Sequence, residues 1–169
     1  MLKHKQTLSD LRSTIIKPGK LLWIGIRSAH REAMFMPNSA FLIENHGVEG
    51  DHSAQKPGKK RQISLIQAEH IPVIQQLANR KTLEPELLRR NLVIAGINLL
   101  ALKDQQFSIG DAVLEGTGPC APCSRMEETL GKGGYNAVRG HGGITARIIQ
   151  GGNITIGDLV YYKTRNEKP

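Results

Sequence analysis

The chain is broken too often by turn residues to build long helices or a doubly wound parallel sheet. Short apolar runs recur between Gly, Pro and Asp signals: Leu21–Ile26, Ala40–Ile43, Gln62–Ile66, Leu92–Ala95, Phe107–Ile109, Ala112–Glu115, Ala146–Ile149, Asn153–Ile156 and Asp158–Tyr162. Runs of this kind read as strands, and many short strands with few helices predict a barrel. Gly110-Asp111 and Gly151-Gly152 sit between neighbouring runs, where hairpin turns belong. Helical spacing is confined to a few places. Gln6–Ile16 places Leu8, Leu11, Ile15 and Ile16 near one face before Lys17-Pro18-Gly19 stops it. Gln67–Asn79 is a helix with Pro72 in its first turn, where a missing N–H costs little. Leu83–Arg89, with Pro85 at its start, and Ser124–Leu130 add short ones. The expected fold class is mainly β: a β-barrel with a few peripheral helices. Its expected layout is an N-terminal extension over 1–19, the barrel domain over 20–163 and a C-terminal tail over 164–169.

A chain of 169 residues is long enough to bury one core without disulfides or a structural metal. No apolar run approaches bilayer length and no basic leader precedes an apolar stretch, so a soluble, cytoplasmic protein with no membrane partner is expected. The cysteines, Cys120 and Cys123, lie together in a Gly/Pro segment rather than spread as a disulfide framework, which suits a reducing compartment. A net charge of +8 draws anions, whether nucleic acid or a phosphate-bearing cofactor. Aromatic residues make up only 4% and form no stripe interleaved with the basic residues, so no nucleic acid is expected as partner.

The chemistry concentrates in Gly118-Pro119-Cys120-Ala121-Pro122-Cys123-Ser124-Arg125, between a strand and the short helix. Cys123 falls at the helix start, where unpaired N–H groups and the dipole favour a thiolate, and Arg125 adds a nearby positive charge. Other readings of the pair stand beside this one. A thioredoxin-like dithiol uses the same spacing, but on a parallel sheet that the pattern here lacks. Zinc would need further ligands, which His46, His52 and His141 could supply only by tertiary placement. Two structural cysteines are the third reading, although prolines and glycines mark this segment as loop rather than core. The polar stretch Asn45–Arg61 is too long for an ordinary connection and reads as a functional loop. Within it Asp51 reads first as a turn-capping residue.

Taken together, Gly47-Val48-Glu49-Gly50-Asp51, Arg61–Ile66, Arg89–Val93, Gly118–Arg125, Arg139-Gly140-His141-Gly142-Gly143 and Gly151–Asp158 form an ordered series. From Lys20 to Tyr162 that series resembles the MOSC domain family, as a small stand-alone bacterial-type member. The same module is found at the C-terminal end of molybdenum cofactor sulfurases. The resemblance implies a β-barrel that binds the molybdenum cofactor (molybdopterin), with the family's cysteine at Cys123 as metal ligand. Cys120 is outside the family's shared set. By the same resemblance Arg89 and Asn91 would hold the phosphate and pterin ends of the cofactor, with Arg61 and Arg125 as further guanidinium groups suited to phosphate. His141 is the candidate proton donor, because an imidazole titrates near neutrality.

The implied function is reduction of N-hydroxylated small molecules through Cys123. Electrons would come from a separate redox partner protein, since no flavin fingerprint or iron–sulfur cysteine set is present. The alternative is a sulfur carrier that takes a persulfide on Cys123 from a cysteine desulfurase and delivers it to a metal–sulfur centre. A weaker alternative is an anion- or nucleic-acid-binding module. Glu127 and Glu128, just after Cys123, would oppose a bound phosphate unless they point away.

Overall fold

A computed structural model describes residues 6–163, so the expected tail over 164–169 lies outside the described residues. The elements follow in order: α1 (Leu8–Ser13), β1 (Gly19–Ile24), β2 (Ser39–Ile43), β3 (Gly47–Val48), β4 (Ile63–Gln67), α2 (His70–Leu77), β5 (Leu92–Ala95), β6 (Gln106–Ile109), β7 (Ala112–Pro119), α3 (Ser124–Leu130), α4 (Gly134–Val138), β8 (Ile144–Gln150), β9 (Gly152–Thr155) and β10 (Leu159–Lys163). Seven strands close a barrel in the order β1-β10-β6-β7-β8-β4-β5, with β5 returning to β1. A second sheet, β3-β2-β9, lies beside it. All the barrel pairs are antiparallel except β4–β5. A parallel pair needs a crossover, and α2 provides it.

Alternation explains where the core sits. Leu21, Ile24, Leu65, Leu92, Ile94, Phe107, Ile109, Leu114, Ile144, Ile148 and Val160 fill the main core, joined by Leu42, Val48 and Ile154 from the small sheet. On β4 and β5 the intervening residues Ile66 and Val93 are buried as well, in a second cluster with Ile74 of α2, Met126 and Leu130 of α3, and Val138 of α4. Strands covered on both faces read as continuous apolar runs, which is how Leu65-Ile66 and Leu92-Val93-Ile94 look in the sequence.

Several sequence expectations shift. The hairpin expected around Gly151-Gly152 does not form: β8 pairs with β7 and β4, whereas β9 pairs with β2. The chain turns a corner there from the barrel into the small sheet. A Cβ on Gly151 would lie 2.7 Å from the Leu42 carbonyl oxygen, and one on Gly152 would lie 2.7 Å from Asp111 backbone. The glycines therefore mark close backbone passage rather than a hairpin loop. Gly110-Asp111 does join the paired strands β6 and β7. The helix expected from Gln67 begins only at His70, because Gln67 is still laddered to Ile94 and the Ala68 N–H donates to the Ile94 carbonyl at 2.8 Å. Pro72 lies in its first turn, as expected. The N-terminal helix contracts to Leu8–Ser13, where Thr7 and Asp10 form a reciprocal capping box. Leu83–Arg89 forms a 3-10 turn over Pro85–Leu88, and the stretch Asn45–Arg61 contains β3 and a 3-10 turn over His52–Gln55. Helix α4 is unexpected; its start, Gly133-Gly134, reads locally as a turn.

The segment before β8 is where backbone packing is tightest. Gly143 has φ +80°, and a Cβ there would run into the Leu65 carbonyl oxygen and the Ile66 backbone. Gly140 has a similar φ of +84°, with open space around it. Gly140→Ala should therefore cost only the backbone term, about 1 kcal/mol. Gly143→Ala should cost at least about 2 kcal/mol, since collision is added to the same strain. Urea unfolding of the two variants checks this, and equal losses would show that the close approach of β4 carries no weight.

Candidate functional site

Residues from segments far apart in sequence converge beside Cys123. Arg27 follows β1, Arg61 and Gln62 precede β4, Arg89–Asn91 precede β5, Cys120–Cys123 follow β7, and Thr145 lies in β8. They line a cavity of ≈ 260 Å³ that also includes Met34, Asp51, Ser53, Ile63, Ser64 and Ala121. A second cavity of ≈ 350 Å³ is lined by His30, Arg31, Ser124, Arg125, Met126 and Glu128. Arg27, Arg89, Arg90 and Cys123 line both cavities, so the two form one cleft. Each part is near the low end of the roughly 300–1,000 Å³ usual for ligand sites.

Cys123 is exposed and serves as the N-cap residue of α3, while Cys120 is buried. Both sulfurs are free. The Cys120 N–H donates to the Gly143 carbonyl at 2.8 Å, and an Arg61 guanidinium nitrogen lies 3.8 Å from Cys120 Sγ. Arg61 thus stands beside Cys120.

The neighbours Arg89 and Arg90 do different things. Arg90 is buried and donates to the carbonyls of Leu88 at 2.8 Å, Gly142 at 2.9 Å and Cys120 at 3.5 Å. It clamps the cysteine loop to the segment before β8. Arg89 caps the preceding 3-10 turn in the left-handed region, φ 57° and ψ 36°, which sends its side chain the other way. It is half-buried and donates to the Glu32 carbonyl at 3.3 Å. Burial, then repulsion from Arg27 and Arg125, pushes the Arg89 pKa below its ordinary value, against smaller opposing effects of Cys123 and Asp51. Among the described residues, the buried Nε atoms of Arg27 and Arg125 have no hydrogen-bond partner. Crowded guanidinium groups with orphaned donors are what an anion would satisfy.

The two acidic residues after Cys123 differ: Glu127 leaves the cleft, whereas Glu128 lines its second part beside Arg125. Glu127 turns away and accepts the N–H groups of Gly133 and Tyr135 at 2.8 and 2.9 Å, which caps α4 and lowers its own pKa. Glu128 pairs with Arg125 at 2.7 Å and with Arg31 at 3.9 Å, at the rim of the second cavity.

Asn91 lines the cleft but is fully occupied within the protein. Its Oδ1 accepts from the Ser64 N–H and Oγ at 3.1 and 3.0 Å, and its Nδ2 donates to the Gly25 carbonyl at 3.2 Å and to Asp51 Oδ2 at 3.1 Å. An amide side chain has two donors and two lone pairs, so none is left for a ligand. Asp51 caps its turn as expected, accepting from Ser53, and its Oδ2 also takes the Arg27 N–H at 3.1 Å.

His141 is not brought to the cleft. Its ring meets that of His70 edge to face, with centroids 5.3 Å apart, and it lines neither cavity. The histidine on the cleft wall is His30. Of the expected site residues, the structure gathers Cys123, Arg89, Arg61, Asn91 and Arg125 and leaves out His141. Arg27 was not anticipated; its only sequence signal is a basic residue directly after an apolar run. Asn91→Ala should lower stability by about 3 kcal/mol, because it strands Asp51 and the Gly25 carbonyl in a buried site. A loss below about 1 kcal/mol in urea unfolding would show that water replaces the amide.

Comparison with known proteins agrees with this architecture. The chain is similar to the crystal structure of the YuaD protein from Bacillus subtilis, with a TM-score of 0.73 and 19% identity over 87% of this chain and 98% of that one. It is also similar to YiiM from Geobacillus stearothermophilus, with a TM-score of 0.72 and 16% identity over 88% and 76% of the two chains. For YiiM from Escherichia coli the TM-score is 0.66, with 16% identity over 88% and 72%. At these identities the likeness concerns the fold. No curated protein sequence matches the chain. The family model for the MOSC domain matches residues 46–161, which hold most of the barrel and the cleft lining other than Arg27, His30, Arg31 and Met34, and the chain belongs to that family.

Proposed function

We propose that the cleft binds the molybdenum cofactor, with Cys123 Sγ as a ligand to the metal, and reduces N-hydroxylated small molecules using electrons from a separate redox partner. The observation that carries this reading is the group of crowded guanidiniums around an exposed thiol. Arg27 and Arg125 both crowd Arg89, and each of the two keeps a buried Nε with no partner among the described residues. The family is associated with this cofactor, and its terminal phosphate and soft metal centre match such a donor set. When bound, the cofactor supplies a redox-active metal able to take an oxygen atom from the substrate.

The protein's own residues do the rest. Arg89 and Arg27 hold the anionic end, Cys123 presents its sulfur at the junction of the two cavities, and Met34 gives the first cavity an apolar wall. Asn91 acts by positioning, because its four hydrogen bonds fix Asp51 and the Arg27 backbone. His30, on the cleft wall, is placed to give the proton that reduction of an N–O bond consumes. Among the described residues no helix is long and apolar enough to cross a membrane, and two free thiols suit a cytoplasmic location. The sulfur-carrier reading keeps one observation in its favour, the exposed Cys123, which a desulfurase could reach.

Metal analysis of protein purified from a host that makes the cofactor tests the proposal. Molybdenum near one equivalent is expected, and Cys123→Ser should lose it. Arg89→Gly should lower retention at least about tenfold, a charged hydrogen-bonding contact's worth. The same variant should keep stability within about 1 kcal/mol, because glycine accepts the left-handed backbone that arginine strains. Lys59→Ala, an exposed charge nearby, should leave retention unchanged. Absence of metal with an added sulfur on Cys123 would instead support the sulfur carrier.

A second test concerns the proton. His30→Gln should lower turnover by about a hundredfold, the usual contribution of a general acid, and His141→Gln should leave it unchanged. The opposite pattern would return the role to His141.

A further inference from the structure

We propose that Cys120 is a resolving thiol for Cys123, converting peroxide damage at the exposed sulfur into a reversible Cys120–Cys123 disulfide. The inference does not depend on which group the cleft carries. Both cysteines line the same cavity, separated only by Ala121 and Pro122 in a stretch outside any helix or strand. One is exposed and oxidant-accessible, and the other is buried and fixed. The Cys120 backbone is held by the Gly143 carbonyl and by Arg90, so its sulfur has a defined place in the cavity wall. The Arg61 guanidinium, 3.8 Å from Cys120 Sγ, puts positive charge beside the sulfur that must become nucleophilic.

The chemistry balances with hydrogen peroxide as the oxidant. The Cys123 thiolate attacks one peroxide oxygen, the O–O bond breaks, and water leaves after protonation, giving the sulfenic acid at Cys123. Cys120 Sγ then attacks Cys123 Sγ, forming the S–S bond. The S–O bond breaks, and the hydroxide takes the proton given up by Cys120 and departs as water. Two thiols and one peroxide thus become one disulfide and two waters. A small dithiol reductant returns both sulfurs to the thiol state by exchange. While closed, the disulfide withholds Cys123 from any metal or sulfur and protects it from irreversible oxidation to sulfinic acid.

The test is peroxide treatment of the purified protein, quenching by alkylation, and intact and peptide mass measurement. The wild type should lose two hydrogen atoms, with the link mapped within one molecule between Cys120 and Cys123, and dithiothreitol should restore it. Cys120→Ser and Cys120→Ala should instead gain two or three oxygen atoms on Cys123, as sulfinic or sulfonic acid, which dithiothreitol does not remove. Arg61→Ala, a change at an exposed residue, should close the disulfide roughly tenfold more slowly, the effect of one charge-assisted contact. Oxygen accumulating on wild-type Cys123 at the rate seen in the Cys120 variants would overturn the proposal. So would disulfides that only link separate molecules.

Discussion

The site is held together by one buried hydrogen-bonded pair, Asp51 and Asn91. Asn91 stands at the entrance to β5 and reaches the backbone after β1, the start of β4 and the turn after β3. Asp51 answers by taking the Arg27 N–H and the Ser53 N–H. In a low-dielectric interior each member of such a network is costly to leave unmet, so the arrangement is either complete or strongly disfavoured. Arg27 therefore inherits its position from two residues that offer nothing to a ligand.

The sequence Arg89-Arg90 shows how one backbone dihedral divides labour between identical side chains. With Arg89 in the left-handed region, the chain reverses before β5. Arg90 then points into protein, where backbone carbonyls consume its donors, and Arg89 stays at the cleft with only one such contact. A sequence reading that treats both as phosphate ligands by type would miss this, because charge is a property of the residue and orientation is not.

What was legible in the sequence follows the same division. The barrel, most strands and the bounds of α3 could be read because apolar alternation and turn residues are local signals. The pairing of β9 with β2 could not, since two glycines describe a hairpin turn and a tight corner equally well until the partner strand is known. Helix α4 was hidden because its cap comes from Glu127, on the previous helix, and not from its own first residues. At the cleft, Cys123, Arg89 and Arg125 could be picked out by type and motif, and Asp51 could be read as the turn cap that it is. Arg27 was missed because nothing in its neighbourhood announces that Asp51 will hold its backbone. His141 was included because glycines around a histidine look like a site loop, whereas the ring packs on His70.

The excursion between β1 and β2 gives the cleft Arg27, His30, Arg31 and Met34. It is anchored by the Ile26–Phe35 bridge, and of its side chains only Ile26 packs against the main core. Its tip can therefore change in length or residue type at little expense to folding. Selection on what the cleft admits can act there almost independently of selection on whether the chain folds, so related barrels can diverge in their chemistry while the scaffold stays the same.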